Sequence, residues 1–326
     1  MKPKSGPFFY IGIVLSIAMG GLFLFSGYSK LYPIQPFEYT FIDLGVANWM
    51  TAPFIARFMI GFEFFCGVLL ILHFQMRRFT IPMVIGLLLF FCVYLMMVIV
   101  IKGNKGNCGC FGELLSMTPL QAIIKNVGLL LLCVLIYFIT EPFKYPFAKW
   151  VGSGSLIFAL VLPFILNTVD LENSKNLLPE AANYRVPLEL LYESKNPVNI
   201  PPKLDLRRGK YIIAYLSLTC PHCKIAAQKI HVLHKKNPAL PFYLVLNGKK
   251  EAYQPYVDTY ELGDIPHQIF FGPEDFVKMS GPSLPEILWV NNSIVEKKGS
   301  YHNLSQEGIE KWLADTTSVK PAPAPQ

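Results

Sequence analysis

The sequence predicts an all-α polytopic membrane helix bundle followed by an α/β domain, and three observations predict it. Apolar residues make up 52% of the 326 positions and charged residues only 16%, with 25 phenylalanines, a balance typical of membrane proteins. Before position 170 the apolar residues gather in runs, each near the roughly 20 residues a helix needs to cross about 30 Å of hydrocarbon. After position 205 the pattern changes to short β-rich runs alternating with amphipathic helical segments.

The apolar runs lie near 8–27, 54–74, 79–101, 119–140 and 151–168, and only the second and fourth contain ionisable residues. The first follows Lys2 and Lys4 as a secretory signal would. Its apolar core is too long for one and carries no A-x-A-like cleavage site, so it reads as a retained span. Lys2 and Lys4, Arg77 and Arg78, and Lys144 and Lys149 fall in three segments that the positive-inside rule makes cytoplasmic. The N-terminus is then cytoplasmic. The loop 30–50, the segment after the third span and everything after Thr168 are extracytoplasmic, in a multi-pass protein of the inner (plasma) membrane. Lys30, Lys102 and Lys105 count against this tally, accompanied on that side by Glu38, Asp43 and Glu113. The lipid bilayer is the first expected partner, and no nucleic-acid partner is expected.

Composition divides the chain into a membrane domain 1–169, a polar, proline-bearing linker 170–205, an α/β domain 206–315 and a Pro/Ala-rich tail 316–326. About 30 flexible linker residues reach on the order of 30 Å, enough for the following domain to fold back onto the membrane surface. That domain opens with "KYIIAYLSLTCPHCKIAAQKIHVLHKK", read as strand, C-x-x-C and helix. At the helix start, free backbone N–H groups and the positive end of the dipole face the Cys220 sulfur and favour its thiolate. Cys223, one turn on, is placed to resolve a mixed disulfide. The bland alternatives are a structural disulfide or half of a zinc site. His231, His234, His267 and His302 read as solvated surface, and no metal is expected.

The segment resembles the thioredoxin superfamily. "PFYLVLNG" supplies the next strand, "QPYVDTYELG" a helix, "SLPEILWVNNSIVEKKGS" a hairpin turning at Asn291-Asn292, and "LSQEGIEKWLAD" the last helix. The resemblance implies a cis Leu284-Pro285 bond beside the active pair, with Pro285 shaping the partner groove. The Pro221-His222 dipeptide is similar to that of the DsbA-type extracytoplasmic oxidants, which implies that His222 stabilises the reactive thiolate and so makes the disulfide more oxidising.

In the membrane half, "GLFLFSGYSKL", "ARFMIGFEFFCGVLLIL" and "CGCFG" together resemble the DoxX-like and MauE families over roughly residues 8–140. MauE is associated with maturation of methylamine dehydrogenase, a disulfide-rich periplasmic enzyme, which implies a role in making or rearranging disulfides. Nothing in the chain points to methylamine itself, and the tethered second domain goes beyond the family pattern.

Cys108 and Cys110 flank a single glycine. A disulfide across it would close a small ring that is easily reduced, and Gly109 gives the backbone freedom such a ring needs. The expected orientation puts this pair in the same compartment as Cys220 and Cys223, so it reads as a second redox pair. A loop staple or half a metal site is the alternative. Cys66, Cys92 and Cys133 sit inside spans as packing residues. Arg57 and Glu63 are costly in the second span, at least roughly 3 kcal/mol for a charge near mid-depth. Arg57 either snorkels to the headgroups or faces the bundle interior. Glu63 is protonated, paired with Arg57 or Lys125, or part of a proton or quinone site, and a quinone is the one cofactor in view.

The function expected is a membrane-anchored thiol-disulfide oxidoreductase. Cys220 exchanges with extracytoplasmic clients bearing thiols or disulfides, the Cys108/Cys110 pair exchanges with the Cys220/Cys223 pair, and oxidation or isomerisation is the favoured direction. The alternative is an assembly or maturation factor in which the CGC loop is structural. A small-solute transporter fits less well, because no repeat or broken-helix pattern is legible.

Overall fold

The computed structural model describes residues 7–104, 117–140, 147–169, 178–194 and 196–315, which fall into two compact units divided between Val169 and Asp170. Cys108 and Cys110 lie outside the described residues, as do the first part of the expected linker and the tail 316–326.

Among the described residues, the first unit contains five helices long and apolar enough to cross a membrane: α1 (Pro7–Leu31), α3 (Ala52–Ile71), α4 (Ile81–Lys102), α5 (Pro119–Ile139) and α6 (Ala148–Leu166), with the short α2 (Gln35–Asp43) between the first two. They match the five apolar runs to within a few residues. This is a membrane protein, and helices suit the bilayer because each satisfies its own backbone groups. Helix α1 packs along α3 at backbone distance: a Cβ added at Gly20 would meet Gly67 O at 2.7 Å, and one at Gly67 would meet Gly20 O at 2.9 Å. Small residues allow such close approach between membrane helices. Thr118 and Gln121 form a capping box that starts α5, with Pro119 in the first turn. At the other end of α5, Arg77 donates to the carbonyls of Tyr137 (2.9 Å) and Phe138 (3.1 Å). These are among the last acceptors that a helix leaves unsatisfied.

The second unit is a six-stranded mixed sheet in the order β1-β6-β5-β2-β3-β4. The strands are β1 (Glu180–Arg185), β2 (Lys210–Ser217), β3 (Phe242–Asn247), β4 (His267–Ile269), β5 (Glu286–Asn291) and β6 (Ile294–Gly299). Its helices are α7 (Glu189–Tyr192), α8 (Pro221–Lys236), α9 (Lys250–Thr259), α10 (Pro273–Ser280) and α11 (Gln306–Ala314). Strands β2, β3 and β4 run parallel, and β5, β6 and β1 add antiparallel on the other side of β2. A central strand feeding α8, a parallel neighbour and an antiparallel hairpin make this a thioredoxin-like fold. One sheet face carries a core of Ile213, Tyr215, Val245 and Leu288 against Phe276 and Met279 of α10.

The linker expectation needs correction. Strand β1 pairs with β6, and Val186, Leu188 and Leu191 are fully or almost fully buried in the same core, so the domain begins near residue 180 rather than 206. The sequence hides this strand because "EAANYR" is exposed at five of its six positions. It is held by ladder hydrogen bonds instead of an alternating apolar face.

Candidate functional site

Strand β2 delivers the chain to the site from the middle of the sheet. It is buried from Ile212 to Leu216, which fixes the position of the turn that follows. Cys220 then caps α8: its backbone is extended and its sulfur accepts the Cys223 N–H at 3.4 Å. Pro221 occupies the first helical position, where no N–H is needed. The second sulfur lies deeper. Cys223 is 0% exposed whereas Cys220 is partly exposed, and the Cys223 sulfur accepts the Ser217 N–H at 3.3 Å. Both are free thiols. Burial, helped by the bond to Cys220, holds the Cys223 thiol well above the ordinary cysteine range, and the Ser217 N–H offsets part of this. Tyr256 donates to the Cys223 carbonyl at 3.0 Å and braces the first turn of the helix.

The Cys220 sulfur lies 3.9 Å from the carbonyl of Leu284, and the Leu284-Pro285 bond is cis. Pro285 follows that carbonyl directly across the cis bond. Glu286 follows it directly, opposite Tyr215 in the β2 ladder. Partial burial pushes the Glu286 carboxyl up to about 7; Lys298 opposes the shift and Glu180 adds to it.

His222 meets a residue that the sequence did not single out. Its Nδ1 lies 3.4 Å from the Tyr301 hydroxyl, and the two rings are stacked within 17°. Tyr301 is held from behind, where Lys229 of α8, itself buried, donates to its carbonyl at 2.7 Å. Burial, and then the charge on Cys220, keep the Tyr301 phenol above its ordinary range. Only the folded hairpin brings Tyr301 to α8, so nothing in the local sequence marks it. His231, expected as solvated surface, is half-buried and bonded through Nδ1 to the Glu261 carbonyl at 2.8 Å. That bond ties α8 to the end of α9 and serves no thiol.

The membrane residues separate into two networks. Glu63 is bound by Lys30, whose Nζ lies 2.6 and 2.8 Å from the two carboxylate oxygens and 2.8 Å from the Ser26 hydroxyl. Both charged side chains are 3% exposed. Lys30 was expected in an outer loop, but α1 continues past it to Leu31 and turns it inward. Arg57 does not join Glu63. The two are six residues apart on α3, roughly 9 Å along the axis and on different sides of the helix. Nor does Arg57 snorkel. Its guanidinium binds Glu38 (2.7 Å), the Pro53 carbonyl (2.8 Å), and the carbonyls of Asn167 (2.8 Å) and Thr168 (3.1 Å) just past α6. It is a clamp between α2, α3 and the end of α6, and the joint site expected of Arg57 and Glu63 is not formed.

Residues 9–139 match the family model of the methylamine utilisation protein MauE. The chain joins a MauE-like membrane domain to a thioredoxin-like domain. Across most of its length it is similar to Protein TlpB of Flavobacterium psychrophilum, 28% identical over 296 residues, covering 77% of this chain and 79% of that one. Among solved structures, a secreted Mycobacterium tuberculosis disulfide oxidoreductase homologous to E. coli DsbE is 16% identical, with 32% of this chain and 81% of that chain covered at a TM-score of 0.28. The MauE-like part contains Lys30, Arg57 and Glu63 and ends before α6, and the CPHC site lies wholly outside it.

Proposed function

We propose that the protein is a membrane-anchored thiol-disulfide oxidoreductase. The observation that carries this reading is the asymmetry of one pair, a partly exposed Cys220 capping α8 above a fully buried Cys223, beside Pro285. In the oxidising direction a client thiolate attacks the Cys220 sulfur of the Cys220–Cys223 disulfide, and Cys223 leaves as a thiolate and takes up a proton. A second client thiolate then attacks the client sulfur of the mixed disulfide and Cys220 leaves. The client gains a disulfide, and the pair gains the two electrons. In isomerisation the reduced Cys220 attacks first and is released at the end. His222, whose Nδ1 lies 3.4 Å from the Tyr301 hydroxyl, is assigned the stabilisation of the Cys220 thiolate, which leaves in the second step and attacks first in isomerisation.

Reoxidation is assigned to Cys108 and Cys110, which the sequence places in the same compartment. Basic residues at 2, 4, 77, 78, 144 and 149 support a cytoplasmic N-terminus and an extracytoplasmic CPHC domain in the inner membrane. The bonds from Arg77 to the end of α5 support a shared side for the turn after α3 and the segment after α5. The test is exchange between the purified full-length protein and a peptide with two cysteines, read by mass. Wild type transfers the disulfide and Cys220→Ser does not. Equal rates for the two would reject the reading in favour of an assembly factor.

A further inference from the structure

Lys229 is a costly residue for a helix that only packs. It is 8% exposed, and burying an ammonium costs far more than burying a leucine in its place. What the lysine supplies and a leucine lacks is a long donor, and its Nζ donates to the Tyr301 carbonyl at 2.7 Å. Lys229 comes seven residues after His222, two turns on, so both side chains leave the same face of α8 about 10 Å apart along its axis. Tyr301 spans that face. Its carbonyl meets Lys229, and its hydroxyl lies 3.4 Å from His222 Nδ1 with the two rings 17° from parallel. The tyrosine belongs to a 3-10 turn, Tyr301–Asn303, that is locked from its other side as well. Asn303 Oδ1 accepts the Ser300 N–H at 2.8 Å, and the Ser300 hydroxyl accepts the His302 N–H at 3.4 Å. Gly299 makes room for this box, because a Cβ there would meet Asn303 Oδ1 at 2.5 Å. Asn303 also donates through Nδ2 to the Leu178 carbonyl at 3.4 Å, just ahead of β1.

We infer that Lys229 and Asn303 are positioning residues of the thiol site, acting through Tyr301 on His222. They hold the backbone of the turn, and the turn holds the phenol against the imidazole. The inference rests on the proposed reading of Cys220 as the exchanging sulfur and of His222 as the group that stabilises its thiolate. Which imidazole nitrogen carries the proton is set by the bond that the other makes, so the phenol at Nδ1 fixes what Nε2 presents. An imidazole without that partner offers a mixture. The better the thiolate is stabilised, the more the reduced pair is favoured and the more oxidising its disulfide becomes. Lys229 and Asn303 thereby enter the redox equilibrium of the pair from a distance, whereas packing alone would change stability and leave that equilibrium where it is.

The test equilibrates the full-length protein in lipid nanodiscs with glutathione buffers, alkylates the free thiols and reads the Cys220–Cys223 peptide by mass. Two glutathione thiols reduce the disulfide to the dithiol and leave as one glutathione disulfide, so the equilibrium constant reports this pair alone. Lys229→Met keeps the stem and removes the donor. It should disfavour the reduced pair about two- to tenfold, the worth of one hydrogen bond, and Lys229→Arg, which restores a donor, should recover most of the change. Asn303→Ala should shift the constant in the same direction and carries the test if Lys229→Met does not fold. Once Tyr301→Phe has removed the hydroxyl, adding Lys229→Met or Asn303→Ala should move the constant no further, because residues that act through one group are not additive. A constant unmoved by the single variants, or moved equally with and without the Tyr301 hydroxyl, would overturn the inference. Wild type that equilibrates with glutathione and responds to these variants, yet exchanges with no two-cysteine peptide, would instead overturn the proposed function and leave the positioning roles standing.

Discussion

Replacing Lys30 by methionine tests the membrane network most sharply. The ammonium makes three contacts of 2.6 to 2.8 Å, two to the Glu63 carboxylate and one to the Ser26 hydroxyl, and both partners of the ion pair are 3% exposed. Methionine matches the length of the lysine stem and keeps contact with Phe37 and Phe91, so packing changes little. Glu63 is then left with one donor, the Ser26 hydroxyl at 3.3 Å. Removing one partner of a buried pair costs about 3–5 kcal/mol, whereas replacing both by apolar residues of similar volume is often close to neutral. Lys30→Met should therefore destabilise the membrane domain by about 3–5 kcal/mol, and Lys30→Met with Glu63→Met should recover most of the loss. Reversible unfolding in mixed detergent micelles, followed by tryptophan fluorescence, measures both. A single-variant loss under about 1 kcal/mol, or a double variant as unstable as the single, would refute a buried, mutually dependent pair.

Three further outcomes follow from the thioredoxin-like domain. Tyr301→Phe removes the hydroxyl beside His222; at about 0.5–1.5 kcal/mol for one hydrogen bond the Cys220/Cys223 potential should move by about 10–30 mV toward the reducing side. Equilibration with glutathione reads this, and an unmoved potential removes Tyr301 from the site. In the reduced protein at neutral pH, iodoacetamide should alkylate Cys220 on the order of 100-fold faster than Cys223, whose thiol is buried and held high; comparable rates would contradict the assigned roles. The Glu286 carboxyl should titrate near 7 against an ordinary value of 4.5. The folded state then binds the extra proton between those values, so stability falls as pH rises across that window. Glu286→Gln should flatten this slope in denaturant unfolding, and an unchanged slope would place the effect elsewhere.

Much of this architecture was legible in the sequence because its signals are local. Twenty apolar residues in a row describe a span wherever they occur, and strand, C-x-x-C and helix lie within one stretch from 210 to 236. What escaped depends on distant partners. Ending the first span at 27 instead of Leu31 left Lys30 in a loop and hid the partner of Glu63. Arg57 lies six residues from Glu63, and only the folded bundle shows that its partners are Glu38 and the end of α6. Strand β1 has no apolar face to announce it. Tyr301 and Glu286 gain their positions through the hairpin, whose register against β2 no local pattern states.

The central claim is that Cys220 is the exchanging sulfur, and trapping tests it most directly. Cys223→Ser leaves the attacking sulfur and removes the resolving one, so mixed disulfides should accumulate in membranes from cells making this variant. Non-reducing electrophoresis and mass mapping should find Cys220 in every trapped adduct, a fraction of them internal to Cys108 or Cys110, and none once Cys220→Ser is added. Adducts that persist without Cys220, or none at all with it, would contradict the account.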